Sequence, residues 1–355
     1  MTRVGVSGTS FTIDGKPTHA ARVFEGQRVE GSLFNVRAVQ ATFDDSNPAT
    51  RRWWAYPDTG TWDAQRNVNE FCAALPSWRD HGVLCATLNV QGGGARYVPD
   101  VYDAYDNNGF TPEGDLKPDY ARRLRQAFAR ADELGMVVIL GIFYWKHVGK
   151  LKGDAAIRRA AESAVQFVID SGCRNVMIEL ANENQEKWPW EMLRPSQAHT
   201  FLADLRAAFA SAGLLYSTSV VGRQLLPPEP LIAASDYILI HGNGMKPEEM
   251  GPYVARIRET AAYRADPKPI ICNEDSPNVG NLDAALACGA SWGYYDQGFG
   301  SGWWGDIWVD YRSRERETRY ADLSGFQTPP INWTINSDLK RAFFGRVAEM
   351  TGQSG

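Results

Sequence analysis

The chain is sparing with the residues that build metal and redox centres: its 355 positions include five histidines and five cysteines. His19, His81, His147, His199 and His241 are scattered, with no H-x-H or H-E-x-x-H spacing, so no metal site is expected. Cys72, Cys85, Cys173, Cys272 and Cys288 lie in or beside apolar runs and form no C-x-x-C pair. That spacing excludes a zinc ribbon, and the odd count argues against a disulfide framework. The cysteines read as small core residues in a reducing compartment, although an exported protein without disulfides would look the same.

Long apolar runs are missing too. No stretch is long enough to span a bilayer, and Met1-Thr-Arg-Val-Gly-Val has no apolar leader region. As written the chain reads as soluble and cytoplasmic; a leader removed beforehand would leave the same picture. The formal charge is only −5 and no Lys/Arg cluster stands out, so neither nucleic acid nor an anionic membrane is an expected partner. No G-x-G-x-x-G follows the first strand and there is no Walker sequence, so no nucleotide cofactor is expected. Oligomeric state is left open.

What is present is an ordinary globular composition, 44% hydrophobic and 22% charged, with enough chain for a large core. Phe11 to Pro17, with extended residues around Asp14-Gly15, reads as a β-hairpin covering one end of the fold. From Leu33 onward apolar strand-like runs alternate with helical periodicity. Strands are expected at 33–43, 84–90, 137–143, 176–181, 216–221, 237–240, 270–273 and 290–295. Helices fit at 67–81, 117–134, 155–171, 196–212, 230–235, 247–263 and 282–288, with a last one at 337–350. Gly135, Gly172 and Gly213 stand just past helices, where the left-handed cap favours glycine, and a strand follows each directly. Short αβ turns and long βα connections favour a closed (β/α)8 TIM barrel over a doubly wound sheet. One domain over 1–355 is expected, with 1–32 as hairpin and lead-in and long loops on the C-terminal face.

The fourth strand runs Val176-Met-Ile-Glu-Leu-Ala-Asn-Glu183, and alternation puts Glu179, Ala181 and Glu183 on its inward side. Glu183 then stands at the barrel mouth and Glu179 deeper, where a carboxylate needs a partner and is better suited to structure than to catalysis. The seventh strand, Pro269-Ile-Ile-Cys-Asn-Glu274, also ends in glutamate. Across a barrel mouth such carboxylates approach to about 5 Å, the spacing for retaining glycoside cleavage by double displacement. Glu274 would attack the anomeric carbon and Glu183 act as general acid and then base, their surroundings pushing the two pKa values apart. Asn182 could bond the sugar 2-hydroxyl.

Most of the twelve tryptophans follow the predicted strands, where sugar C–H faces could stack on them. Trp54, Tyr144, Trp145, Trp188, Tyr295 and Trp303 are the aromatic candidates for binding carbohydrate. Each competes with a role in packing loops. His241 ends the sixth strand and could bond the nucleophile or a hydroxyl. Asp44, Asp45 and Asp296 are candidates for hydroxyl binding, and Arg223 for orienting Glu274.

The Ile178-Glu-Leu-Ala-Asn-Glu183 segment and the glutamate ending strand seven resemble the clan A glycoside hydrolases, most closely family 5. The resemblance implies that Asn182 and Glu183 are the asparagine and acid/base, Glu274 the nucleophile, that His241 lines the site near that nucleophile, and that an aromatic from strand eight floors the pocket. The chain departs from the pattern at Asn184, where a proline is usual, at Trp292-Gly-Tyr-Tyr-Asp296 in place of a lone tryptophan, and in lacking a clear arginine on strand two. The reading is therefore a retaining glycoside hydrolase acting on β-linked oligo- or polysaccharide without a cofactor. A non-catalytic carbohydrate-binding barrel and a metal-dependent barrel hydrolase are the alternatives.

Overall fold

A computed structural model describes residues 1–93, 104–222, 225–298, 303–304, 307–308 and 318–353, with only the backbone at 303–304 and 307–308. Arg223 and the Trp303 side chain thus lie outside the described residues. Eight strands form the barrel: β1 (Asn35–Arg37), β2 (Cys85–Asn89), β3 (Val137–Tyr144), β4 (Val176–Asn182), β5 (Tyr216–Ser217), β6 (Ile238–His241), β7 (Ile270–Glu274) and β8 (Ser291–Tyr294). Every pairing in this sheet is parallel, β8 closes on β1, and a parallel bridge between Ser219 and Leu239 joins β5 to β6. All eight expected strands are present, four of them (β1, β2, β5 and β8) shorter than their apolar runs, and the fold is a (β/α)8 barrel.

Helices cover the outside: α1 (Ala64–Asp80), α2 (Pro118–Glu133), α3 (Gly153–Asp170), α4 (Ala198–Ala208), α5 (Glu229–Ala234), α6 (Pro247–Glu259), α7 (Val279–Ala287) and α8 (Asp338–Thr351). The helix expected to run through Tyr263 is broken at Thr260, whose extended backbone ends α6 and whose hydroxyl caps a new turn at Ala261–Ala265. None of the helices among the described residues is long and apolar enough to cross a membrane. All five cysteines are free, four of them buried.

Strand alternation sorts the interior into levels. Outward residues such as Ala86, Leu88, Val138, Leu140, Ile178 and Leu180 pack against the helices in the main core. Inward residues at the N-terminal end, among them Cys85, Val137, Ile139, Met177, Leu239 and Ile271, form a second apolar cluster that Val4 and Phe11 join from the N-terminal strands. The Phe11 ring meets Tyr237 edge-on at 6.1 Å. The hairpin, Ser10–Ile13 with Lys16–Pro17, is extended by a third strand, Val4–Ser7, and plugs this end. Higher up, the inward positions turn polar, with Asn35, Thr87, Asn89, Glu179 and Ser217 all buried. At the C-terminal mouth they carry charge.

Candidate active site

Two Asn-Glu pairs end β4 and β7, and strict alternation would bring only one member of each inward. Both members of both pairs reach the barrel interior, because each strand breaks its pattern there. At β4 the break is a left-handed backbone at Glu183, φ 51°, a conformation that costs a non-glycine residue about 1 kcal/mol or more. At β7 it is a register shift against β6, which pairs His241 with Glu274 and skips Asn273.

Glu183, His241 and Glu274 each offer one donor atom within 4.8 Å of the others. The side chains of Glu183 and Glu274 are 19% and 7% exposed, so Glu183 sits nearer the solvent side. His241 Nδ1 lies 3.0 Å from Glu183 Oε1 and 3.6 Å from Glu274 Oε2. The histidine expected near the nucleophile candidate lies beside it and is hydrogen-bonded to the acid/base candidate. Asn243 bridges the two carboxylates, its amide donating to Glu274 Oε1 at 2.7 Å and to Glu183 Oε1 at 3.4 Å.

The arginine sought on strand two is on β1. Arg37 Nε is 2.6 Å from Glu274 Oε2, and its Nη2 donates to Asn182 Oδ1 at 2.5 Å. Neither Arg37 nor Asn243 was singled out from the sequence. The available signal was alternation along Leu33, Asn35 and Arg37, which turns a guanidinium into a barrel where it must find a carboxylate.

Glu179 is buried below them, accepting from the Ser219 hydroxyl at 2.6 Å and from Asn273 Nδ2 at 3.4 Å. Burial raises its carboxyl above the ordinary range despite Arg37 and His241 nearby. Burial also opposes charge on His241, but the carboxylates of Glu274 and Glu183 outweigh it and hold the imidazole above its usual value. For Glu183 burial acts upward, while the hydrogen bond and charge of His241, with Arg37 beyond, leave the carboxyl below its usual value. Glu183 thus lacks the upward shift that would set it apart as the acid.

Of the expected aromatic residues, Tyr295 stands beside Glu274 and Arg37, and Tyr144, paired with Asn182 across β3 and β4, stands near Tyr295. The Tyr295 ring lies 6.0 Å from the Arg37 guanidinium carbon, and burial beside Glu274 pushes its hydroxyl well above the usual range. Trp145 is 41% exposed beside Tyr144, with ring centroids 5.7 Å apart. Trp54 and Trp188 are packing residues instead. Trp54 is fully buried against Phe43 and Tyr105 and donates to Asp45 Oδ2 at 2.7 Å; Trp188 is buried in the main core. Asp296 ties down the segment after β8, accepting from Tyr294 Oη and Gly298 N–H at 3.0 and 2.8 Å. Asp44 and Asp45 likewise serve their own loop, bonding Arg51, Trp62, Thr50 and Trp54.

No family profile matches the chain, and no curated protein matches it by sequence. Solved structures match its fold. The endo-1,4-β-mannanase of Rhizomucor miehei aligns with a TM-score of 0.54 at 10% identity, over 99% of this chain and all of that one. A GH5_18 protein from Streptomyces cattleya, in complex with GlcNAc, aligns at 0.53 and 14% identity over 91% and 81%. A Bacteroides vulgatus protein named as a glycoside hydrolase aligns at 0.53 and 12% identity, covering 94% of this chain, which spans only 59% of that protein's length. The chain thus shares the barrel fold of these glycoside hydrolases.

Proposed function

We propose that this barrel is a retaining glycoside hydrolase acting on β-linked oligo- or polysaccharide, with Glu274 as nucleophile and Glu183 as general acid and base. The observation that carries the reading is the pair of carboxylates at the mouth, with oxygens within 4.8 Å of each other and different partners. A nucleophile attacking an anomeric carbon while its counterpart protonates the leaving oxygen needs about this separation; the inverting arrangement, with water between, needs roughly 6.5 Å or more.

The partners divide the roles. The Arg37 guanidinium stabilises Glu274 as a carboxylate and fixes its orientation. Asn182 Oδ1 is held by Arg37, which leaves the amide N–H groups to donate to the sugar 2-hydroxyl, a bond that strengthens in the transition state. His241 can supply the proton that Glu183 delivers: Nδ1 passes it across 3.0 Å to Glu183, which gives it to the departing oxygen as the glycosidic C–O bond breaks and is left as a carboxylate. In the second step Glu183 removes a proton from water as that water displaces Glu274 from the anomeric carbon. Tyr144 and Tyr295 flank this position, and Trp145 offers an exposed face farther out for a second sugar ring.

The test is trapping with activated 2-deoxy-2-fluoro β-glycosides of several sugars, followed by peptide mapping. A covalent adduct on Glu274 is expected, and the sugar that labels fastest identifies the glycone. Labelling on any other carboxylate would overturn the assignment.

A further inference from the structure

Ser217-Thr218-Ser219 places three hydroxyl residues in a row inside the barrel, all nearly or fully buried. Regular pairing of β5 with β4 covers only Tyr216 with Ile178 and Ser217 with Glu179. Beyond it, side-chain hydroxyls replace backbone carbonyls as acceptors for the Ala181 and Glu183 peptides. Ala181 N–H donates to Thr218 Oγ1 at 3.2 Å, and the Thr218 hydroxyl donates back to Ala181 O at 2.8 Å. Glu183 N–H donates to Ser219 Oγ at 3.0 Å, while backbone bonds run from Ser219 N–H to Ala181 O at 3.2 Å and from Asn184 N–H to Ser219 O at 3.0 Å.

Glu183, between these points, is the residue in the left-handed region. A strained peptide persists only where its surroundings over-determine it, and its buried N–H needs an acceptor. Ser219 supplies one only if its own proton points elsewhere, since a hydroxyl has a single proton to give. That proton goes to Glu179 Oε1 at 2.6 Å, in preference to Ala181 O at 3.5 Å. Peptide, hydroxyl and buried carboxylate form one directed chain.

We propose that Ser219 and Glu179 are positioning residues: Ser219 holds the left-handed Glu183 peptide that swings the acid/base carboxyl over the cleavage site, and Glu179 orients the Ser219 hydroxyl. The proposal rests on the reading of Glu183 as acid/base. It gives the deep third glutamate a role as an acceptor.

The test uses full-length Ser219→Ala, Glu179→Gln and Glu179→Leu with 2,4-dinitrophenyl and phenyl β-glucosides and β-mannosides. Dinitrophenolate leaves without protonation, whereas phenolate needs the general acid, whose contribution is on the order of 100-fold. Ser219→Ala is expected to lose at least ~10-fold in kcat/KM on the phenyl glycoside and less than ~3-fold on the dinitrophenyl one. Glu179→Gln keeps an acceptor oxygen, and Asn273 Oδ1, which has no partner among the described residues, can turn to its new amide. Glu179→Leu, which removes the acceptor, is expected to follow Ser219→Ala in losing at least ~10-fold on the phenyl glycoside and less than ~3-fold on the dinitrophenyl one, with Glu179→Gln less impaired than either; a Glu179→Leu that matches wild type would overturn the role of Glu179. Equal losses on the two leaving groups in Ser219→Ala, no loss on either, or a Glu179→Gln as impaired as Ser219→Ala would overturn the proposal. A crystal structure of Ser219→Ala is the arm independent of activity: Glu183 is expected to leave the left-handed region, and an unchanged backbone there would overturn the positioning role. Wild-type protein that cleaves none of these glycosides would count against the hydrolase reading alone.

Discussion

Arg37 and Glu274 meet through a 2.6 Å contact between Nε and Oε2, with only 2% and 7% of their side chains exposed. A buried pair of this kind makes each partner dependent on the other, since removing one leaves an uncompensated charge at a cost of about 3–5 kcal/mol. Arg37 also reaches Asn182 through Nη2, so it holds Glu274 and Asn182 together. Lysine keeps the charge but lacks the planar fork. Arg37→Lys is expected to remain folded and to lose at least ~10-fold in kcat/KM on its best glycoside, mainly in kcat. Steady-state kinetics with a melting curve checks it, and wild-type turnover would remove Arg37 from the orienting role.

The division of labour between the carboxylates predicts how small anions restore defective variants. In Glu183→Ala the glycosyl intermediate on Glu274 still forms from a substrate with a good leaving group, but no base activates water. Azide needs no base, so it is expected to raise turnover at least ~10-fold and to give a β-glycosyl azide, the retained configuration. Proton NMR of the product distinguishes the anomers. An α-azide would mean that the roles of the two glutamates are reversed or that the reaction inverts.

Much of this site was legible in the chain because strands are short and their ends are marked. Two apolar runs stop at Asn-Glu, which located Glu183 and Glu274, and Ile238-Leu-Ile-His241 located the histidine between them. What could not be read is the set of departures from alternation. Glu183 is left-handed without being glycine or asparagine, and the register slip at Asn273 exists only against β6. Pairings between residues distant in sequence were equally hidden: nothing beside Arg37 points to Glu274, and Asn243 follows β6 with no signal that it spans two carboxylates. Aromatics misled for a different reason. A tryptophan after a strand buries a long loop as readily as it stacks on a sugar, and Trp54 and Trp188 do the former.

Glu183, His241 and Glu274 also form a donor set that a divalent ion could take. Arg37 against Glu274 and the His241 hydrogen bond to Glu183 already engage these carboxylates, and a metal would have to displace that bond with a guanidinium close by. Activity is accordingly expected to survive dialysis against EDTA unchanged, and millimolar Zn2+ to inhibit by occupying the three donors. Loss of turnover on chelation, restored by a divalent ion, would favour metal-assisted hydrolysis over double displacement.

Two buried groups outside the glutamate pair give stability a pH dependence whose sign differs between them. Asp275, next to Glu274 in the chain, is fully buried, accepting from Asn281 Nδ2 at 2.7 Å and Trp292 Nε1 at 2.8 Å, and burial pushes its carboxyl up to about 7. Unfolded, it titrates near ~3.9, so between about pH 4 and 7 the folded protein holds a proton that the unfolded chain has lost, and stability falls as pH rises through this window. His147 is fully buried beside Tyr105, and burial with Lys150 nearby lowers it to about 3. Its unfolded value is near ~6.5, so here the unfolded chain binds the proton, and stability falls as pH drops from about 6.5 toward 3. Over about pH 4 to 6.5 the two slopes oppose each other, each on the order of 1.4 kcal/mol per pH unit at most. Single variants should unmask them. Asp275→Asn is expected to become steadily more stable, relative to wild type, as pH rises from 4 to 7, and His147→Phe relatively more stable as pH falls from 6.5. Both variants lower or raise the absolute melting temperature by altering packing, so the difference in slope against wild type is the quantity to measure, by thermal denaturation across this range. Parallel curves for either variant would mean that the residue changes its protonation equally in the folded and unfolded chain, contrary to its burial.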